Sequence, residues 1–208
     1  MLTPEQFFPF LLAAVVLTMS PGPDNLMVLG MGMAKGRRRG VAFGLGCAFG
    51  CLSHTLLAVV GVSALIAASS TAFTVLKVAG GLYLVKLGWG AWRHAGAVSL
   101  ATTESSLESP ARLFWKGCLA SAINPKVVLF FLSFLPQFVV ASHGAVGWQL
   151  AALGVTFTLQ AALLFGLLGY FAGAIGQWLS RKPRAGVVLD RAAGTVFIAL
   201  GLKLIVSR

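Results

Sequence analysis

Apolar residues run along this chain in six long blocks, near 7–29, 41–67, 73–92, 114–140, 148–176 and 190–206, with short polar stretches between them. A helix needs roughly 20 mostly apolar residues to cross the hydrocarbon of a bilayer, so the pattern predicts an all-α integral membrane protein with six transmembrane helices. The sixth block carries Arg191 and Lys203 near its ends; both cations can snorkel to the interface. Five spans would move the C-terminus to the other side. Two blocks are broken by polar residues at similar relative places: Ser20-Pro21-Gly22-Pro23-Asp24-Asn25 in the first and Asn124-Pro125-Lys126 in the fourth.

Composition agrees with the block pattern. The 208 residues are 58% hydrophobic and 10% charged, with a mean hydropathy of +0.89, too apolar to be hidden inside a soluble domain of this size. The net charge of +11 would suit nucleic acid, but its placement does not. Lys35, Arg37, Arg38 and Arg39 fill the first connection, Arg93, Arg112 and Lys116 flank the third, and Arg181, Lys182, Arg184 and Arg191 surround the fifth. The alternate connections near 68–72 and 141–147 have no Lys or Arg. This positive-inside pattern puts both termini outside the cytoplasm and turns the basic loops toward anionic lipid headgroups. The first block has Glu5 and no early cation, unlike a cleaved signal peptide, so it is expected to be retained.

One long polar connection, rich in Ser, Thr and Glu, joins two three-helix halves. The expected organisation is a first repeat over 1–98, a cytoplasmic linker over 99–111 and a second repeat over 112–208. The halves echo each other: Pro23 aligns with Pro125, which sets Asp24 opposite Lys126, and Gly80 aligns with Gly194. Three spans per half make the second run opposite to the first. Interrupted helices at matching places in inverted repeats point to a transporter's binding site at the bilayer midplane.

The breaks carry the candidate chemistry. Pro21, Pro23 and Pro125 lack an amide hydrogen and clash with the carbonyl one turn earlier, so each frees backbone carbonyls. Around Ser20 and Gly22 the chain can offer carbonyl oxygens on one side and the amides of a new helix, at Asp24, Asn25 and Leu26, on the other. Such an opening can take both ends of a zwitterion, and an amino acid has both. Asp24 is the only acid deep in a block and must be protonated, paired or hydrated there. It is read either as a fixed cap or partner of Lys126, or as an ammonium or proton site. Ser20, Gly22, Asp24, Asn25, Asn124 and Lys126 are thus the substrate-binding candidates, Asp24 and His54 the proton-coupling candidates, and Gln160 a supporting polar residue. Opposite charges at the two breaks are expected to approach each other.

Gly36, Gly40, Gly44, Gly46 and Gly50, with Gly169 and Gly173, give small-residue spacings that allow close helix approach. Trp89, Trp92, Trp115, Trp148 and Trp178 fall toward block ends, as interfacial anchors do. Cys47, Cys51 and Cys118 lie in apolar blocks; Cys47 and Cys51 share a helix face, which leaves a thiol-redox or metal-efflux protein as the alternative. No paired carboxylates, nucleophile set or phosphate loop indicate an enzyme, and no cofactor is expected.

The two broken motifs, the glycine series after a basic turn, and Leu135-Pro136-Gln137-Phe138 together make the chain resemble the LysE/RhtB family of bacterial amino-acid exporters over nearly its whole length. The resemblance implies proton-driven efflux of amino acids or close derivatives and no enzymatic activity. Members handling lysine, arginine, threonine, homoserine or leucine share these motifs. Amino acid, proton and lipid are the expected partners, and a homodimer is left open. The architecture is also similar to that of membrane thiol-electron carriers, but those place cysteines at the breaks, where this chain has Ser20 and Asn124.

Overall fold

The computed structural model describes residues 2–20, 22–93, 95 and 108–206. Pro21, most of the 99–111 linker and Arg208 lie outside them. The described residues form an all-α bundle: α1 (Pro4–Met19), α2 (Pro23–Lys35), α3 (Arg37–Leu57), α4 (Ser63–Ala68), α5 (Ser70–Arg93), α6 (Pro110–Ala122), α7 (Pro125–Leu129), α8 (Val146–Arg181) and α9 (Pro183–Val206). A π-turn at Ala58–Val62 carries α3 into α4, and a second at Phe130–Phe134 prolongs α7.

Four stretches are each long and apolar enough to cross a membrane: Arg37–Leu65, Thr71–Arg93, Val146–Arg181 and Arg184–Val206. Two bent pairs qualify as one span each, α1 with α2 at 54° and α6 with Pro125–Phe138 at 53°, bringing the total to six. Both bends fall at the proline motifs. The helices outrun their apolar blocks: α2 reaches Lys35 and α9 begins at Pro183. Hydropathy marks the hydrocarbon-facing length, whereas hydrogen bonding continues the helix into the headgroups.

Burial is arranged for a lipid solvent. Phe8, Leu12, Leu56, Leu159 and Val206 point outward, while Asp24, His54, Ser121, Asn124 and Lys126 are buried. All five tryptophans are exposed, as expected of side chains anchored at the interface.

Glycines set the closest crossings. On α3, Gly40 and Gly44 face α8, where an added Cβ would lie 2.9 and 2.7 Å from the carbonyl oxygens of Gly169 and Phe165. Gly46 and Gly50 face α6, where it would meet the backbone of Phe114 and Cys118. Two glycines grouped with these by spacing do other things. Gly36 sits at the α2–α3 turn with φ +84°, a conformation that favours glycine, and neither it nor Gly173 has a neighbour within 4 Å of an added Cβ. Helices α5 and α9 cross antiparallel through Gly81 against Gly201 and Gly88 against Gly194.

The two ends of the bundle are closed differently. At the basic end, Glu108 pairs with Lys35 at 3.6 Å, Arg112 at 3.3 Å and Lys116, and its carbonyl accepts a 3.0 Å hydrogen bond from Arg39. The turn between α2 and α3 is thereby tied to the start of α6. At the other end, Gln6 on α1 donates to the Phe138 carbonyl (2.8 Å) and to Gln149 Oε1 (3.0 Å), while Gln149 donates to the carbonyls of Val140 and Gly144.

The Lys116 hydrogen bond, followed by the charges of Lys116, Lys35 and Arg112, holds the Glu108 carboxyl below its ordinary value of 4.5. A depressed pKa adds stability above the unfolded value that is lost as pH falls through the folded one. Thermal melting of detergent-solubilised protein should therefore decline on acidification below about pH 4.5, and Glu108→Gln should flatten that part of the profile while leaving neutral pH the more affected condition. An acid limb unchanged in Glu108→Gln would remove Glu108 from the account.

Candidate functional site

The first break exposes carbonyl oxygens, and side chains take them up. In an unbroken helix the oxygens of Thr18 and Ser20 would accept from the amides of residues 22 and 24. Here Asn25 Nδ2 donates to Thr18 O at 2.8 Å, and Lys126 Nζ, from the second break, donates to Ser20 O at 3.0 Å. Gly22 leaves room for this, since an added Cβ would stand 3.0 Å from Lys126 Nζ. The Leu26 amide is already bonded to Gly22 O at 3.0 Å, so it is not one of the open amides expected there.

The second break is built to the same plan. Asn124 caps α7, its Oδ1 accepting from the Lys126 amide at 3.1 Å. Pro125 cannot donate to Ser121 O, the acceptor one turn earlier. That oxygen receives the Asn124 amide at 2.9 Å and His54 Nε2, from α3, at 3.1 Å. A carbonyl only accepts, so His54 carries its hydrogen on Nε2; Nδ1 is buried with no hydrogen-bond partner. The His54 ring also lies 5.6 Å from that of Phe131.

Between the breaks is a small cavity lined by Leu17, Thr18, Asp24, Asn25, Cys51, Asn124, Lys126, Val127, Phe157 and Phe165. About 10 Å³ is open to the centre of a water-sized sphere, room for about one water and too little for an amino acid. Phe157 and Phe165 straddle the midpoint of α8 between Trp148 and Trp178, which sets the cavity at mid-span. Toward the Gln6 end it is shut by a stack of rings: Phe157 against Phe130 and Phe131 at 5.3 and 4.9 Å, then Phe10 and Phe138. On its basic side, beyond Phe165, Gly40 and Gly44 of α3 press against α8.

Asp24 and Lys126, on opposite sides of the sequence, face this cavity at 4% and 7% exposure. They approach each other as expected, yet no ion pair within 4.0 Å joins them. Asp24 instead has the side chains of Asn124 and Ser121 beside it, within the fields of Lys126 and His54. The Lys126 ammonium lies 5.2 Å from the Phe197 ring centroid, a cation–π arrangement. Each charge thus has neutral partners and an open side.

Most of the sequence-derived candidates come together here: Ser20, Gly22, Asp24, Asn25, Asn124, Lys126 and His54 all belong to the two breaks. Gln160 supports the wall, donating to Thr18 Oγ1 at 2.8 Å and Phe157 O at 3.1 Å, with Oε1 unpartnered. Ser121, Thr18, Glu108, Gln6 and Gln149 were not anticipated. Gln149 had a legible signal, being an amide in an otherwise apolar first turn, whereas Gln6 sits beside Glu5 in a mixed one; Ser121 had none beyond its distance of four residues from Pro125. The cysteines do not form a centre. All three are free, and no group of three or more His, Cys, Asp or Glu able to hold a metal occurs among the described residues.

Residues 15–208 match the family model described as LysE type translocator. The chain is 31% identical over 207 residues to the homoserine/homoserine lactone efflux protein of Salmonella typhimurium, covering 100% of this chain and 99% of that one. It is 30% identical over 210 residues to the threonine efflux protein of Escherichia coli (97% and 98%), and 25% identical over 202 residues to the leucine efflux protein of Enterobacter sp. (95% and 94%). No solved structure matches.

Proposed function

Since the chain belongs to the LysE-type translocator family, we propose that it is a proton-coupled secondary exporter of amino acids or close derivatives across the bacterial inner membrane. The family is one of translocators, not enzymes. The observation that carries the substrate reading is one acid and one base lining a single buried cavity without neutralising each other. A zwitterion is the complement of that arrangement. Its ammonium would take Asp24, its carboxylate Lys126 and the Asn124 side, and the freed carbonyls would supply further acceptors for the ammonium.

The cavity must enlarge to admit cargo. In this reading Glu108 with its cations closes the cytoplasmic side, the aromatic stack and the Gln6–Gln149 cluster close the periplasmic side, and the bent helices move between. Asp24 and His54 are the candidates for carrying the proton. Glycine recurs at the matching contacts of α5 with α9, Gly81 on Gly201 and Gly88 on Gly194, which is in keeping with an inverted repeat pairing Gly81 with Gly194 and Gly88 with Gly201. That register differs by a single residue from the Gly80–Gly194 alignment read in the sequence.

Proteoliposomes loaded with labelled threonine, homoserine or leucine test the function. An imposed proton gradient should drive flux that a protonophore abolishes, and cells carrying the protein should tolerate toxic concentrations of its cargo. Uncoupler-insensitive flux would make the protein a passive pore. For orientation, a reporter active only in the periplasm should give signal at the C-terminus and none within 99–109; the reverse result would mean an odd number of spans or an inverted chain.

A further inference from the structure

The two breaks are capped crosswise. The carbonyl left open at the first break, Ser20 O, is held by Lys126 from the second half; the carbonyl that Pro125 cannot serve, Ser121 O, is shared by the local Asn124 amide and by His54 from the first half. We propose that His54 is the positioning residue of the second break and that its vacant Nδ1 is where the coupling proton binds, so that imidazolium and substrate ammonium exclude each other at Asp24. The proposal rests on the proton-coupled reading above.

Geometry supports each part. His54 is 1% exposed, and its Nε2–H is committed to Ser121 O, so a proton can enter only at Nδ1, which has no partner. Protonation there leaves the cap intact, since Nε2 donates in both states. It adds a positive charge to a ring near enough to Asp24 for the two charges to interact. The groups facing this region are Asp24 from α2, Lys126 from α7 and, on α3 itself, Cys51, whose Sγ lies 3.7 Å from Ser121 Oγ. One carboxylate cannot serve two cations equally in a low-dielectric cavity. Binding of one proton at Nδ1 from the periplasmic side therefore favours release of the amino acid, and loss of that proton to the cytoplasm restores the cargo site. One proton crosses inward for each amino acid outward, with no bond made or broken except N–H.

Two substitutions separate the roles. His54→Gln keeps an N–H donor able to reach Ser121 O but cannot titrate; His54→Leu removes both functions. In proteoliposomes with the three labelled amino acids, His54→Gln should retain measurable substrate exchange at zero gradient while losing gradient-driven flux on the order of a hundredfold. Its exchange should no longer vary between pH 6 and 8. His54→Leu should lose exchange as well and melt below His54→Gln. Gradient-driven flux preserved in His54→Gln would overturn the proton assignment, and equal melting of the two variants would overturn the cap. If the wild-type protein moves none of the three amino acids, the exporter reading fails with the proton assignment, while the melting comparison still decides the cap.

Discussion

Lys126→Met should abolish export and lower stability by about 1–3 kcal/mol, the cost of leaving a buried acceptor such as Ser20 O without its donor. Asp24→Asn should abolish export too but cost less stability, because the amide, with the Asn124 and Ser121 side chains beside it, removes a buried charge without stranding a backbone acceptor. The double variant distinguishes two architectures. Had the charges formed a direct buried pair, neutralising both would restore what either single change loses. With the ammonium seated on a backbone carbonyl instead, the double variant should stay close to Lys126→Met in denaturant or thermal titration and should not transport. Recovery to wild-type stability would show that the two side chains meet directly, and wild-type export by the double variant would remove both from the mechanism.

Gly46→Val should reduce the folded, monodisperse fraction more than any substitution on the lipid-facing surface. An added Cβ at Gly46 meets the backbone of Phe114, and backbone cannot rotate away as a side-chain tip can. Forcing the α3–α6 crossing apart costs about 1–3 kcal/mol for overpacking and also displaces α6, which carries Ser121 to His54. Gly166→Val is the matched control, since nothing lies within 4 Å of its added Cβ, and surface changes of that kind usually stay within about 0.5 kcal/mol. Equal losses at the two positions would mean that helix propensity, not the crossing, sets the penalty.

The architecture was legible to the extent that single-residue physics determines it. Proline without an amide, twice within apolar blocks, gave both breaks, and glycine spacing gave the α3 crossings. Spacing alone could not tell Gly40, which touches α8, from Gly36, which turns the chain, because both lie four residues from a neighbouring glycine. The site was legible as a list but not as a set of bonds. Charge complementarity suggested that Asp24 and Lys126 would hold each other; hydrogen-bond bookkeeping at the breaks assigns the lysine to Ser20 O, and that requires knowing which carbonyl the bend leaves bare. Glu108 was invisible for a different reason. It sits in a polar stretch that looks uniform, and only the folded arrangement brings Lys35 and Arg39 to it across some seventy residues of sequence.

Helix α8 has 36 residues, or roughly 54 Å at about 1.5 Å per residue, well beyond the ~30 Å of hydrocarbon. Trp148 and Trp178 are set on it about 45 Å apart by the same rise, close to the ~40–45 Å thickness of a bilayer measured through its headgroups. A rod pinned by an indole at each surface resists both sliding and tilting, because either movement draws one ring into the oil or pushes it into water. The bilayer thus fixes the depth of α8, and in the proposed transport cycle the two bent spans would move against it; thickening or thinning the lipid should then shift that reference.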